Sequence, residues 1–371
     1  MELNAAVVEV APVGPVDWAV AARLADRLVR PGPETDRAEA TALVEGLRDA
    51  ARVAAGHVAR ITGLKPADGS DPTAVPISHV LVVDRSGWAR ANVALLADLT
   101  SGLDVEPGKK APSRATRLTG AAQAGGALAV LSGKVLGQFD PFVQSVGPGG
   151  LVRGRLLLVA PNVLRIEREL DVDPADFRLW VALHEQTHAL QFAAAPWLAG
   201  HLRTRAGNLI GDLARDDGDH ADRRRARALA VAVVRVLRGD DDAPALDALL
   251  RPNERKVFEE MGAVMALLEG HADVAMDAVG SAVVPTVRRI RHRFEARRSG
   301  PDQRGPVDRL LRGLLGLDLK LAQYRDGAAF VRYVTRAVGQ DGLNLVWADA
   351  ANLPGPREIA DPRAWVRRVH G

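Results

Sequence analysis

The chain has 371 residues, a formal net charge of +3 and 47% hydrophobic content, enough to bury a full core in one large or two ordinary domains. It contains no cysteine, which excludes disulfides, thiolate metal sites and cysteine nucleophiles. No run of about 18 apolar residues is present to span a membrane. Met1 to Pro15 lacks the basic-then-apolar order of a secretory signal, so a cytoplasmic location is the expectation.

Asp17 to Arg30 and Glu34 to Ile61 read as helices separated by Pro31-Gly32-Pro33, followed by a Gly/Pro/Asp-rich loop from Gly63 to Pro76. His79 to Val83 reads as a strand and Ser86 to Leu103 as a helix. Ala115 to Leu136 is a small-residue helix suited to close packing, and its Gly133-Lys134-Val135 lacks the pattern of a phosphate loop. Ser145 to Gly154 reads as a Pro/Gly loop. Leu156 to Ala160, closed by Pro161-Asn162, reads as a strand. Asp173-Pro174-Ala175-Asp176 then carries the signals of a helix start, and Phe177, Trp180 and Val181 continue at helical spacing until Pro196. Further helices are expected at Ala221–Arg238, Asn253–Val279, Val287–Arg297 and Asp308–Val338. The segment from Arg203 to Asp247 is charged and looks inserted. The resulting expectation is a predominantly helical α+β fold with a small sheet over one helix, divided into residues 1–150 and 151–371.

The helix beginning near Asp173 carries His184-Glu185-Gln186-Thr187-His188. Residues i and i+4 share one helical face, so both imidazoles can reach one metal ion, and Glu185 lies close enough to take a proton from a metal-bound water. A catalytic zinc keeps three protein ligands, and Glu269 on the helix from Asn253 is the best third candidate. His271 and His201 are the fallback ligands. Asp273, at i+4 from Glu269, suits a carboxylate that supports a ligand histidine from behind. Tyr324 could donate to a developing oxyanion, and Lys320 lies one turn before it. Arg223-Arg224-Arg225 and Arg288, Arg289 and Arg291 are expected to be solvated helix faces. No nucleic-acid partner is expected, because no aromatic residues interleave the first of them.

The His184–His188 motif together with Leu268-Glu269-Gly270-His271-Ala272-Asp273 resembles the gluzincin branch of the zincin metallopeptidases. That resemblance implies His184, His188 and Glu269 as ligands to one zinc, Glu185 as the general base and Asp273 as support. The chain departs from that branch in the spacing of 81 positions from His188 to Glu269. A second resemblance spans residues 75–370 and rests on Gly137 to Phe142, Trp180 to Phe192, Pro196-Trp197-Leu198, Leu268 to Asp273, Asp318-Leu319-Lys320, Gln323-Tyr324, Leu353-Pro354, Asp361-Pro362 and Trp365. It is to a family of zinc-dependent metalloproteases or hydrolases of actinobacteria, one subgroup of which is associated with deazaflavin-coenzyme biosynthesis. The implied activity is hydrolysis of a peptide or other amide bond, with an extended substrate added to the Leu156–Ala160 strand. Two alternatives remain open: a zincin scaffold that binds or regulates without cleaving, and a non-peptide amidase of cofactor metabolism.

Overall fold

A computed structural model of the chain describes residues 14, 16–101, 112–146, 152–214, 250–299 and 317–371. In chain order these form α1 (Trp18–Leu28), α2 (Arg37–Thr62), β1 (His79–Val83), α3 (Arg85–Thr100), α4 (Arg114–Ser132), β2 (Gly137–Val146), β3 (Val152–Val159), α5 (Ala160–Leu170), α6 (Pro174–Ala194) and α7 (Trp197–Ala214). Beyond residue 250 come α8 (Pro252–Ala278), α9 (Val287–Ser299), α10 (Leu317–Asn344) and the short α11 (Pro356–Ala360) and α12 (Pro362–His370). The fold is mostly helical with one small mixed sheet, as expected. The expected helix at Ala221–Arg238 and most of the charged segment lie outside the described residues, whereas 203–214 belong to α7.

The sheet order is β1-β3-β2, with β1 parallel and β2 antiparallel to β3. β3 is therefore the central strand. The expectation that it would receive a substrate strand is wrong, because both of its edges are already paired. The edge nearest α6 is β2, a strand that the sequence reading missed. Pro141 sits at its irregularity, where the register with β3 shifts between Asp140 and Ser145. Asp140, 1% exposed, steadies that kink. Its carboxylate pairs with Arg155 of β3 at 2.8 Å and accepts from the backbone N–H groups of Phe142 and Val143.

Helix α5 was also unforeseen: Pro161 opens it at its first turn rather than closing the preceding strand. Asn162 fixes that start by accepting from Arg85 and donating to the carbonyls of Ser132 and Val135. On α9, Arg289 and Arg293 are not merely solvated: they cover the C-terminal end of α5, reaching the carbonyl and carboxylate of Asp171.

One hydrophobic cluster runs from Leu43 on α2 through β3, α6, α8 and α10 to Trp365 on α12. A second, smaller one joins Ala25, Trp88, Ala89, Val93, Leu128, Leu157 and Val159 on the other face of the sheet. Helix α6 lies in the first. Asp173 caps its start by accepting from Asp176 N at 2.9 Å, as the sequence indicated. Gln186 ties α6 to α2 by donating to the Ala51 carbonyl and accepting from Ser78.

Helices α8 and α10 cross with backbone against backbone. A Cβ on Gly270 would collide with the backbone of Gly327 and Ala328, and one on Gly327 with the Ala266 carbonyl. Gly270 follows Glu269 directly, so this crossing sets how Glu269 is carried toward α6. Gly270→Ala is expected to destabilise the fold by about 1–3 kcal/mol through overpacking, seen as a lower denaturant midpoint. An unchanged midpoint would mean that the crossing is not close.

Candidate metal centre

His184 and His188 project from successive turns of α6 toward Glu269 on α8. Their Nε2 atoms are 3.2 Å apart, and the Glu269 carboxylate oxygens lie 3.4 Å from His184 Nε2 and 3.6 Å from His188 Nε2. One ligand atom from each of the three falls within 4.8 Å of the others, and among the described residues this is the group of histidine and acidic side chains that could hold a metal ion. The His184 and Glu269 side chains remain 24% and 30% exposed, so the cluster opens to solvent on one side. His201 and His271, the fallback ligands, are not part of the group.

The donor set fits a zinc-type cation. Two imidazoles and a carboxylate are the ligands of one type of catalytic zinc site. His184 is raised to about 9: burial pulls it down, but the adjacent Glu269 carboxylate, helped by Glu185 and Asp273, overrides burial. His188 is lowered, first by burial and further by His184, against the pull of Glu269.

Glu185 lies against β2, where its carboxylate sits beside Gly137 and accepts from the backbone N–H of Phe139. It is only 6% exposed, and burial raises its pKa to about 7, with Glu269 pushing the same way and His184 and the Phe139 N–H opposing. Gly137 makes this seat possible. A Cβ there would stand 2.5 Å from Glu185 Cγ and 2.7 Å from its carboxylate.

The surroundings of the histidines differ from expectation. The Asp273 carboxylate does not hold either ring. It lies 3.5 Å from Arg291, which also pairs with Asp277, and it influences His184 and His188 through space. His184 Nδ1 instead faces Met276 Sδ at 3.2 Å, and His188 Nδ1 meets Gln191 Oε1 at 2.9 Å. The Gln191 Nε2 atom lies 3.0 Å from the Leu268 carbonyl and 3.0 Å from His271 Nδ1. His271 is 2% exposed, packs against Trp347 and is held neutral, its pKa lowered to about 4 by burial and by His188. Sequence reasoning gave no role at the site to Gly137, Gln191 or Met276. Gln191 had one available signal, its place one turn beyond His188 on the same helix. Tyr324 and Lys320 fall in α10, but their side chains lie outside the described part of the structure.

Three comparisons bear on this site. A family model described as zincin-like metallopeptidase matches residues 16–366. A crystal structure of a proposed hydrolase with a novel fold, from Chloroflexus aurantiacus, is similar at 29% identity and a TM-score of 0.65, over 95% of this chain and 98% of that one. No curated protein matches. None of the described helices is long and apolar enough to cross a membrane.

The Glu185 seat can be tested without any substrate. Glu185→Ala removes the acceptor of the Phe139 N–H, and that amide is expected to exchange with solvent roughly ten-fold faster, as loss of a charged hydrogen bond implies. Equal exchange in both proteins would show that Glu185 does not rest on β2.

Proposed function

We propose a hydrolytic function from one premise: the chain belongs to the zincin-like metallopeptidase family. In this reading it is a zinc-dependent hydrolase that cleaves an amide bond, most specifically a peptide bond, with His184, His188 and Glu269 holding the metal. The observation that carries the reading is the convergence of those three ligand groups beside a buried carboxylate, Glu185, that is not one of them. Zinc bound there would polarise a scissile carbonyl and lower the pKa of water toward about 7.

The chain's own residues would do the rest. Glu185 takes the proton of the attacking water and returns it to the leaving nitrogen. The Phe139 N–H and the space left by Gly137 keep its carboxylate in one place between those two transfers. The solvent-open side of His184 and Glu269 is the approach for substrate. β2, the sheet edge beside Glu185, offers a track along which an extended peptide would pass the cluster.

The purified protein is expected to carry about one zinc per chain, tetrahedral or nearly so, and His184→Ala and His188→Ala to lose it. Undiminished zinc in both variants would contradict the ligand assignment. Glu185→Gln should keep zinc and fold while amide hydrolysis falls by roughly 100- to 10,000-fold. A peptide and amide library on which wild type and Glu185→Gln are equally inert, both loaded with zinc, would favour a scaffold that binds without cleaving.

A further inference from the structure

Gln191 is fully buried on α6, three residues beyond His188. Its amide is oriented by a group that admits only one arrangement. The Leu268 carbonyl carries lone pairs and no hydrogen, so the amide nitrogen must face it, as it does at 3.0 Å. The second hydrogen of that nitrogen points to His271 Nδ1 at 3.0 Å, which accepts it. The amide oxygen is thereby turned to His188 Nδ1 at 2.9 Å.

An amide oxygen can only accept a hydrogen bond. His188 Nδ1 must then carry the proton, which leaves a lone pair on Nε2. Nε2 is also the atom that faces His184 and Glu269. The 3.2 Å separation of the two Nε2 atoms agrees, because protons on both would collide.

We propose that Gln191 is the positioning residue that fixes His188 as its Nδ1–H tautomer and aims Nε2 at the metal, with the Leu268 carbonyl and His271 locking the amide. This rests on the metal-site reading above. A neutral amide suits the place better than a carboxylate. It orients the ring without adding a further negative charge beside Glu269 and Glu185, and it can donate to Leu268 and His271 while accepting from His188.

The test uses the full-length protein, zinc and a chromophoric chelator in competition, together with 15N-histidine NMR. Gln191→Met keeps the side-chain length and removes the amide, and is expected to weaken zinc binding by roughly 10–100-fold. His271→Phe added to Gln191→Met should cost no further affinity, since His271 acts only through the amide. In wild-type zinc-loaded protein the His188 ring should show a protected Nδ1–H and ligation through Nε2. That spectrum can overturn the proposal even where the variant fails to fold. Ligation through Nδ1, or unchanged zinc affinity in folded Gln191→Met, overturns the proposal. His188→Ala in the same assay separates the two readings. If it loses zinc while Gln191→Met does not, only the role of Gln191 falls; if it too keeps zinc, the metal site falls with it.

Discussion

Helix α6 is buried on almost every side over the stretch that carries the motif, and that burial governs the rest of the site. Glu185, Gln186, Thr187, His188 and Gln191 are all buried polar residues. A polar group left unpaired in such a place costs about 1–3 kcal/mol, so each must find a partner, on its own helix or on what packs against it. Gln186 finds α2, Thr187 the Leu183 carbonyl one turn back, Glu185 the edge of β2, and Gln191 the backbone of α8. The pairings of Gln186, Glu185 and Gln191, which cross to other elements, fix the rotation and depth of α6 against its neighbours. The direction of His184 and His188 follows from them.

The proposed third ligand, Glu269, comes from a different element, so its position depends on how α8 is held. The glycine contact with α10 lets α8 sit deep, and the Gln191–Leu268 bond pins the turn just before Glu269. The outcome is a carboxylate and two imidazoles pressed together, a grouping with too much lone-pair density for its surroundings. The raised pKa of His184 expresses that demand as a proton. A divalent cation would meet it more completely, with three ligand atoms converging at once.

Much of this was legible from the sequence, and the reasons are local. His184, Glu185 and His188 are fixed relative to one another by helical periodicity alone, and the Asp173-Pro174 start marks the helix. Glu269 could be named because it falls on a helix that the sequence marks, four residues before Asp273. What escaped were contacts made across elements. The Glu-x-x-x-Asp spacing suggested Asp273 as the support for a ligand ring, but the sequence held no sign that Arg291 on α9 would draw that carboxylate aside. Gln191 reads as an ordinary polar helix residue until α8 is placed against it. β2 was hidden because Gly137 and Pro141 weaken a strand signal, although both belong there: the glycine to admit Glu185, the proline at the kink. The same ambiguity of proline concealed α5, where Pro161 begins a helix rather than ending a strand.

The central claim is that His184, His188 and Glu269 hold one metal ion at the open side of α6. Diffraction from crystals of the purified protein, collected on both sides of the zinc absorption edge, tests it most directly. The account predicts one anomalous peak per chain, bonded to His184 Nε2, His188 Nε2 and a Glu269 oxygen at about 2.0–2.2 Å. A zinc-replete crystal with no peak at that position, or with its peak coordinated by other residues, would contradict it.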